Sequence, residues 1–259
     1  RRQSASHTEY DFVLALSTSF KEKMTWLNQS PCTMCGNKET KYLSTRGPDT
    51  DEETPGQANR VEVYQCERCS ASMTFPRYNS VAKLLETQMG RCGEYANLFG
   101  LYCRSLGLQA RYILDVTDHV WTEVYLNSRW IMVDSCEGVI DENSMYEAGW
   151  AKDLSYVVAV ASDHVVEVIP KYTRKFSDPD FQARRRAITS SEQAGHEIIR
   201  QINAKLQSAL SSKEAEQLNG RIQREERVLS DLRYQTVWHE RMYHQGRISG
   251  STAWKLSRR

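Results

Sequence analysis

The spacing of apolar residues along the chain changes from helical to strand-like and back to helical. Residues 10–27 carry apolar side chains at roughly helical spacing, namely Phe12, Leu16, Phe20 and Leu27. A second helical stripe starts at Cys92, and its apolar face consists of Ala96, Phe99, Cys103 and Leu106. Because Gly107 follows this stripe, we expect the second helix to end there.

After Gly107 the pattern becomes that of β-strands. Four segments have the length and apolar enrichment of strands, namely 108–116, 118–126, 129–137 and 154–169. Beyond Pro179 the sequence is helical again, with two apolar stripes that we expect to serve packing, namely Ile198, Ile202, Leu206 and Leu210, and Leu218, Ile222, Leu229 and Leu232. This order of elements predicts an α+β fold with an antiparallel sheet.

The seven cysteines divide into two CxxC pairs and three single residues. The pairs are Cys32 with Cys35 and Cys66 with Cys69, a pattern that predicts one structural zinc ion held by four sulfurs. The alternative is four unrelated buried or redox-active cysteines. An odd number of cysteines argues against a disulfide framework and favours a reducing, cytoplasmic compartment.

Two neighbouring strand segments predict a β-hairpin whose turn lies at residues 127–128. A two-residue loop there pairs His119 with Cys136 and Trp121 with Asp134. Because side chains alternate along a strand, one face then carries His119, Trp121, Glu123, Trp130, Asp134 and Cys136. A three-residue loop would change the relative faces of the two strands.

A nucleophilic cysteine needs an imidazole and a group that orients the imidazole. The hairpin offers His119 and Asp134, and Cys92 begins the helix that precedes it. A helix N-terminus and an imidazolium both favour the thiolate form of a cysteine. Gly90 and Gly93 allow a tight turn, and the Cys92 amide is a candidate oxyanion donor. Taken singly, each residue also has a structural explanation, since cysteines are commonly buried for packing.

The chain resembles a known family along most of this core. The motifs that carry the resemblance occur in order, together with both CxxC pairs: "FPRYNS", "GRCGEYANLF", "LGLQARYILDVTDHVWTEVY" and "RWIMVDSCE". They are similar to cytosolic peptide:N-glycanase, a transglutaminase-like family that removes N-linked glycans from misfolded glycoproteins. The resemblance runs from about Trp26 to Tyr172 and returns at residues 246–258.

This resemblance implies a role for each residue of the triad. Cys92 would be the nucleophile, His119 the general base and then acid, and Asp134 the residue that orients His119. The implied reaction hydrolyses the bond between GlcNAc and an asparagine side chain through a cysteine thioester, which leaves aspartate. The resemblance also implies a glycan cleft lined by Trp26, Trp121, Glu123, Trp130 and Glu137. Cross-strand packing is the alternative explanation for the two strand tryptophans.

The resemblance further implies a papain/transglutaminase-like core at residues 76–176. A zinc-binding module at 28–75 would precede this core, and helical segments would flank it at 1–27 and 177–259. The expected substrates are unfolded N-glycosylated proteins. The expected partners are a ubiquitin-shuttle protein, the proteasome and the ATPase that extracts proteins from the endoplasmic reticulum.

Charge is distributed unevenly, although the net charge is only +1. Residues 171–259 hold 18 Lys and Arg against 10 Asp and Glu, whereas residues 1–170 hold 16 against 23. We expect docking to an acidic protein surface and no nucleic-acid binding, because no dense basic run is interleaved with aromatic residues.

We also expect no membrane span, since no apolar run has the length to cross a bilayer.

Three other functions fit parts of the pattern. A transglutaminase or cysteine protease would share the triad, but it would not need the tryptophans and acids of the glycan cleft. A non-enzymatic transglutaminase-like scaffold would need no intact triad. A zinc-ribbon nucleic-acid binder would show salt-sensitive binding.

Overall fold

The computed structural model describes residues 8–189 and 192–235, so the resemblance at 246–258 lies outside the described residues. Two compact units divide this part of the chain. The first consists of residues 8–107 and 133–139, and the second of the remainder. No helix within the described residues is both long and apolar enough to cross a membrane.

The first unit begins with α1, Glu9–Lys23, which confirms an amino-terminal helix but not its predicted end at Leu27. The helix ends four residues earlier, because Thr25–Trp26 forms a short strand. A capping box starts the helix, since the Thr8 hydroxyl accepts a hydrogen bond from the Asp11 amide and the Asp11 carboxylate accepts one from the Thr8 amide. The buried side chains of this helix are Val13, Ser17 and Phe20. The predicted stripe is wrong at Phe12, which is 48% exposed, because the buried face is offset by one residue.

A three-stranded antiparallel sheet follows in the first unit. Its strands are β2, Thr40–Arg46, β3, Val61–Cys66, and β4, Ser72–Pro76, in the order β2-β3-β4. Side chains of β3 and β4 form a small buried apolar cluster with two residues that precede the sheet. The cluster consists of Leu27, Cys32, Tyr64, Cys66, Met73 and Phe75.

The rest of the first unit leads into a third helix. The intervening elements are α2, Val81–Thr87, and two short strands that pair in parallel, β1, Thr25–Trp26, and β5, Met89–Gly90. Helix α3, Cys92–Ser105, confirms the second predicted helix. Its predicted apolar face is buried at Ala96, Phe99 and Cys103, but Leu106 lies beyond the helix and is 50% exposed.

The larger sheet has six strands in the order β11-β10-β6-β7-β8-β9. Its strands are β6, Ala110–Asp115, β7, His119–Leu126, β8, Arg129–Asp134, β9, Val139–Ile140, β10, Val157–Val160, and β11, Val165–Glu167. Strand β6 pairs with β7 and with β10, and β10 pairs with β11, in each case antiparallel. The predicted α+β class with an antiparallel sheet is therefore confirmed.

The hairpin between β7 and β8 has the predicted two-residue turn. Asn127 and Ser128 both have positive φ, 49° and 63°, as a type I′ turn requires. The rings of Tyr125 and Trp130 lie 5.1 Å apart, which matches the predicted register at this end of the hairpin.

Three helices close the described part of the second unit. They are α4, Pro179–Ile188, α5, Glu192–Gln207, and α6, Ser212–Leu232, and two single helical turns occur earlier, at Met145–Gly149 and Ile169–Lys171. Leu218 and Leu229 of α6 are buried, as predicted. In contrast, Ile198 and Ile202 of α5 are 59% and 40% exposed, because an amphipathic pattern defines an apolar face without supplying a neighbour for it.

Helix α5 also makes a polar contact with an edge of the larger sheet. The side-chain amide of Asn203 donates to the carbonyl of Val165 at 2.8 Å, and its oxygen accepts from the Val165 amide at 2.6 Å. Since β11 is the edge strand, Asn203 satisfies both backbone groups of Val165 there.

Candidate active site

The turn before Cys92 has no room for variation in its backbone. An added Cβ on Gly90 would lie 2.3 Å from the Cβ of Glu94, so only glycine fits at this position. The Glu94 carboxylate accepts a hydrogen bond from the Arg91 amide at 2.9 Å, and this bond caps the start of α3. These contacts fix Cys92 as the first residue of the helix.

The three single cysteines differ in exposure. Cys92 is half-buried, whereas Cys103 and Cys136 are buried. The amino end of a helix also carries a partial positive charge, which suits a negatively charged sulfur. Cys92 is therefore the single cysteine with both solvent access and a setting suited to a thiolate.

Four buried charges surround the turn that carries Cys92, and we call them the arginine–glutamate cluster: Glu62, Arg77, Arg91 and Glu94. The Arg91 guanidinium donates to both carboxylate oxygens of Glu62, at 2.8 and 2.7 Å. The Arg77 guanidinium donates to both oxygens of Glu94, at 2.6 and 2.9 Å. All four residues are less than 10% exposed, so the two positive and two negative charges balance inside the protein.

This arginine–glutamate cluster connects the small sheet to the start of α3. Glu62 lies in β3, and Arg91 directly precedes Cys92 and also donates to the carbonyl of Leu27 at 2.8 Å. Burial opposes the charge of Arg77, but Glu94, Glu62 and Cys92 raise the pKa of its guanidinium. A negative charge on the Cys92 sulfur therefore stabilises the charged form of the Arg77 guanidinium.

Asp134 ends β8, and its carboxylate is fully buried. Its Oδ1 atom accepts three hydrogen bonds, from the Cys136 amide at 3.1 Å, the Cys136 thiol at 2.9 Å and the Glu137 amide at 3.1 Å. The turn is held from outside by Lys21 of α1, whose ammonium donates to the carbonyl of Glu137 at 2.6 Å. The turn that follows Asp134 thus supplies three donors to its carboxylate.

His119 begins β7 in the second unit and is surrounded by aromatic rings. Its ring centroid lies 5.8 Å from that of Trp121, 5.2 Å from Tyr146 and 5.1 Å from Trp150. His119 is only 6% exposed, so its contacts restrict how the imidazole can turn. The sequence interpretation missed Tyr146 and Trp150, although their i, i+4 spacing in "MYEAGW" is the signal of two rings on one helical face.

The residues predicted for the glycan cleft fall into two groups. Trp121, Glu123 and Trp130 are at most 7% exposed, whereas Trp26 and Glu137 are half-buried. The indole N–H of Trp121 donates to the Tyr172 hydroxyl at 3.0 Å, and its ring stacks on the aromatic residues around His119.

Glu123 lies at the centre of a buried ion network in the second unit. Arg111, Lys171 and the Tyr172 hydroxyl all donate to its carboxylate, and Glu225 of α6 accepts from Arg111. Burial opposes its charge, but Arg111 and Lys171 lower the pKa of Glu123 to about 2. A sugar could contact Glu123 only if one of these ion pairs opened.

The four paired cysteines lie together in the first unit, as predicted. The Sγ atoms of Cys32 and Cys69 are 3.5 Å apart and those of Cys35 and Cys66 are 3.6 Å apart, and all four ligand atoms lie within 4.8 Å of one another. Sulfurs around a tetrahedral zinc ion are about 3.8 Å apart, whereas a disulfide needs about 2 Å.

The surroundings of two of these sulfurs act in opposite directions. At Cys69 a hydrogen bond from the Ala71 amide favours the thiolate, but the thiols of Cys35 and Cys32 raise the pKa to about 12. Burial opposes ionisation of Cys66, but hydrogen bonds from the amides of Cys69 and Arg68 lower the pKa of its thiol to about 6. The two CxxC turns are closed alike, since the Gly36 amide donates to the Cys32 carbonyl and the Ser70 amide to the Cys66 carbonyl. The four cysteines therefore have the donor set and spacing of a metal site.

The chain is similar in sequence to known proteins of one family. The family model described as transglutaminase-like superfamily matches residues 38–135. A peptide-N(4)-(N-acetyl-beta-glucosaminyl)asparagine amidase of Arabidopsis thaliana is 40% identical over 98% of this chain and 35% of its own length. A Rad4/XPC nucleotide excision repair complex is 15% identical, with a TM-score of 0.49 over 85% of this chain and 48% of that chain.

The chain spans about a third of the length of the Arabidopsis thaliana amidase and about two thirds of the length of a shorter amidase. The shorter of these relatives, from Yarrowia lipolytica, is 38% identical over 95% of this chain and 68% of its own length. This similarity covers both compact units of the structure. The chain therefore belongs to the peptide-N(4)-(N-acetyl-beta-glucosaminyl)asparagine amidase family, within the transglutaminase-like superfamily.

Proposed function

We propose that this chain is an amidase that cleaves the bond between the GlcNAc of an N-linked glycan and an asparagine side chain. One observation carries the proposal: the similarity to an amidase extends over 98% of the chain at 40% identity. The substrates are N-glycosylated, unfolded proteins. Hydrolysis converts asparagine to aspartate and releases a 1-amino sugar, which then loses ammonia.

In the proposed reaction the Cys92 thiolate attacks the side-chain amide carbonyl of the glycosylated asparagine. The amide carbon–nitrogen bond breaks, and a thioester remains on Cys92. Water then hydrolyses the thioester and regenerates the thiol. The half-buried position of Cys92 at the start of α3 supports this role, because the sulfur has solvent access at the positive end of a helix.

His119 protonates the departing glycosylamine nitrogen and then takes a proton from the attacking water. Asp134 orients the imidazole. Support comes from the local setting of each residue, since aromatic contacts restrict the ring of His119 and three hydrogen bonds hold Oδ1 of Asp134.

The proposed glycan contacts come mainly from the half-buried residues Trp26 and Glu137. An indole face suits the apolar face of a sugar ring, and a carboxylate accepts hydrogen bonds from sugar hydroxyls. We add Trp150, which is partly exposed and lies beside His119. The buried Trp121, Glu123 and Trp130 then support the cleft, and any direct contact of Glu123 with a sugar requires an ion pair to open.

The four paired cysteines hold one structural zinc ion in this proposal. A shell of four sulfurs leaves no position for a substrate, so the metal stabilises the small sheet and takes no chemical step. The distances between the sulfurs support the proposal.

The proposed compartment is the cytosol, where thiols stay reduced. None of the seven cysteines takes part in a disulfide, which supports this compartment. The proposed partners are a ubiquitin-shuttle protein, the proteasome and the ATPase of the endoplasmic reticulum. The exposed Ile198 and Ile202 of α5 support a docking surface, since exposed apolar side chains often mark interaction sites.

The proposed activity is tested by mass measurement of a purified glycopeptide before and after incubation with the chain. We expect the product to be the intact peptide with aspartate in place of the glycosylated asparagine. Cys92→Ala should abolish the reaction, whereas the matched control Cys103→Ala, which removes a buried thiol far along the same helix, should retain it.

The same peptide without its glycan distinguishes the alternatives. A cysteine protease would cut its backbone, and a transglutaminase would join it to an added amine. Either result, or an unchanged glycopeptide, would overturn the proposed amidase activity.

A further inference from the structure

One buried thiol in the first unit contacts the carboxylate of Asp134, and neither the proposed mechanism nor the metal site uses it. Cys136 is 1% exposed, and its thiol lies 2.9 Å from Oδ1 of Asp134. The backbone of the same turn supplies two further donors to this oxygen, from the amides of Cys136 and Glu137 at 3.1 Å. The side chain of Cys136 is thus the third donor to one oxygen atom.

The thiol of Cys136 stays protonated, as a donor must. Burial raises its pKa well above the ordinary value of 9.0, and the negative charges on Asp134, Cys92 and Glu137 raise it further. Cys136 is therefore suited to donating a hydrogen bond and unsuited to acting as a nucleophile.

We propose that Cys136 is a positioning residue, whose S–H bond holds the Asp134 carboxylate in the orientation that the reaction requires. The inference rests on the proposed function, in which Asp134 orients His119. An aspartate carboxylate rotates in a broad torsional well, so it is restricted less when one of its donors is removed. Three donors to one oxygen also make the carboxylate less basic.

Loss of the S–H donor therefore has two expected effects. A looser Asp134 aligns His119 less well, which lowers kcat without changing substrate binding. A more basic Asp134 also stabilises the protonated form of His119, so the basic limb of the pH profile moves to higher pH. A purely structural role of Cys136 would produce no such movement.

The experiment compares Cys136→Ala, Cys136→Ser and Cys103→Ala in the full chain, with the glycopeptide as substrate. For Cys136→Ala we expect kcat to fall about tenfold with KM unchanged, since a hydrogen bond to a charged group contributes on this scale. The basic limb should move up in pH. Cys136→Ser, which keeps a donor, should recover most of both effects, and Cys103→Ala should match the wild type.

Thermal melting of each variant separates folding from chemistry. Should Cys136→Ala melt below the assay temperature, Cys136→Val replaces it, because valine fills the space without a donor. The inference would be overturned if the donor-free variant kept the kcat and the pH profile of the wild type. It would also be overturned if the Ala and Ser variants lost kcat equally while the basic limb of the pH profile stayed at the wild-type pH. Failure of the wild type to release glycan would instead overturn the proposed function, and the inference with it.

Discussion

At the scale of single residues, the arginine–glutamate cluster of the first unit balances two buried positive charges with two negative ones. In the arginine–glutamate cluster each guanidinium meets a carboxylate in a two-point contact. The cost of burying a charge is offset only while both members are present. The same contacts hold the residue before Cys92, so local stability and the position of the sulfur depend on the same side chains.

We therefore expect Glu62→Gln to lower the free energy of unfolding by about 3–5 kcal/mol, because it leaves Arg91 buried without its partner charge. Urea unfolding measures the change. The matched control is Glu86→Gln, which removes a surface carboxylate that pairs with Lys83. It should leave stability nearly unchanged, and equal losses in the two variants would contradict the structural role of the cluster.

The ion network of the second unit makes a prediction about pH. Glu123 has a pKa of about 2 in the folded chain, below its ordinary value of 4.5. A depressed pKa contributes stability above pH 4.5, and this contribution is lost as the pH falls from about 4.5 through about 2. The difference in unfolding free energy between wild type and Glu123→Gln should therefore shrink across this range.

Urea unfolding at a series of pH values checks this expectation. Subtracting the variant from the wild type removes the contributions of other carboxylates, including Asp163, whose pKa is also lowered to about 2 by His164 and Arg221 although burial opposes its charge. If the difference in unfolding free energy stayed constant from pH 6 to pH 2, Glu123 would not be responsible for the expected pH dependence of stability.

At the scale of elements, the two CxxC turns place four sulfurs close together in the first unit. Cys35 and Cys69 are exposed, and only Cys32 and Cys66 belong to the apolar cluster of the small sheet. Thiolates placed this close repel one another unless a cation lies between them. The stability of this element is therefore expected to depend on its metal.

We expect the purified chain to release one zinc ion per molecule when its thiols are blocked, as measured with a metal-sensitive dye. Cys35→Ser should lose the metal and lower the melting temperature, although Cys35 is exposed and its packing contribution is small. Cys103→Ala should retain the metal. A metal-free wild type, or full metal content in Cys35→Ser, would contradict the proposed site.

The elements that the sequence predicted well are those set by local pattern. Helix α3, the strands and the two-residue turn of the hairpin follow from periodicity, caps and turn residues near one another in the chain. The phase of α1 was wrong at Phe12, because its apolar residues lie close to two possible faces and tertiary packing selects between them.

The candidate site was predictable only in part. The CxxC spacing was sufficient to predict that four cysteines lie together. The arginine–glutamate cluster was not predicted. Glu62 and Arg77 resemble surface residues of strands, and their burial depends on Arg91 and Glu94, which are distant in sequence. The contact between Cys136 and Asp134 was likewise missed, since a pattern places residues on a face without showing which atoms meet.

At the scale of the whole molecule, the proposed substrate is a side chain on another polypeptide. It must bring an asparagine carbonyl to the sulfur of Cys92, which is itself half-buried. A glycosylated asparagine on a rigid, folded surface cannot extend into such a position as readily as one on an unfolded chain. The proposed preference for unfolded glycoproteins follows from this requirement.

We therefore expect the chain to deglycosylate a heat-denatured glycoprotein faster than the same glycoprotein in its native form. Gel mobility over time measures both rates, and a short glycopeptide with the same glycan gives the rate without any fold in the substrate. Equal rates on the native and denatured forms would contradict the expected preference.

The double hydrogen bond from Asn203 to Val165 has a consequence for association between molecules. An edge strand with open amides and carbonyls invites a strand from a second chain, which leads to fibrils or mispaired dimers. Here the side-chain amide of Asn203 makes the two hydrogen bonds to the amide and carbonyl of Val165 that a neighbouring strand would otherwise make. Helix α5 thereby protects the edge strand at Val165 from intermolecular β-pairing, while its Ile198 and Ile202 stay exposed.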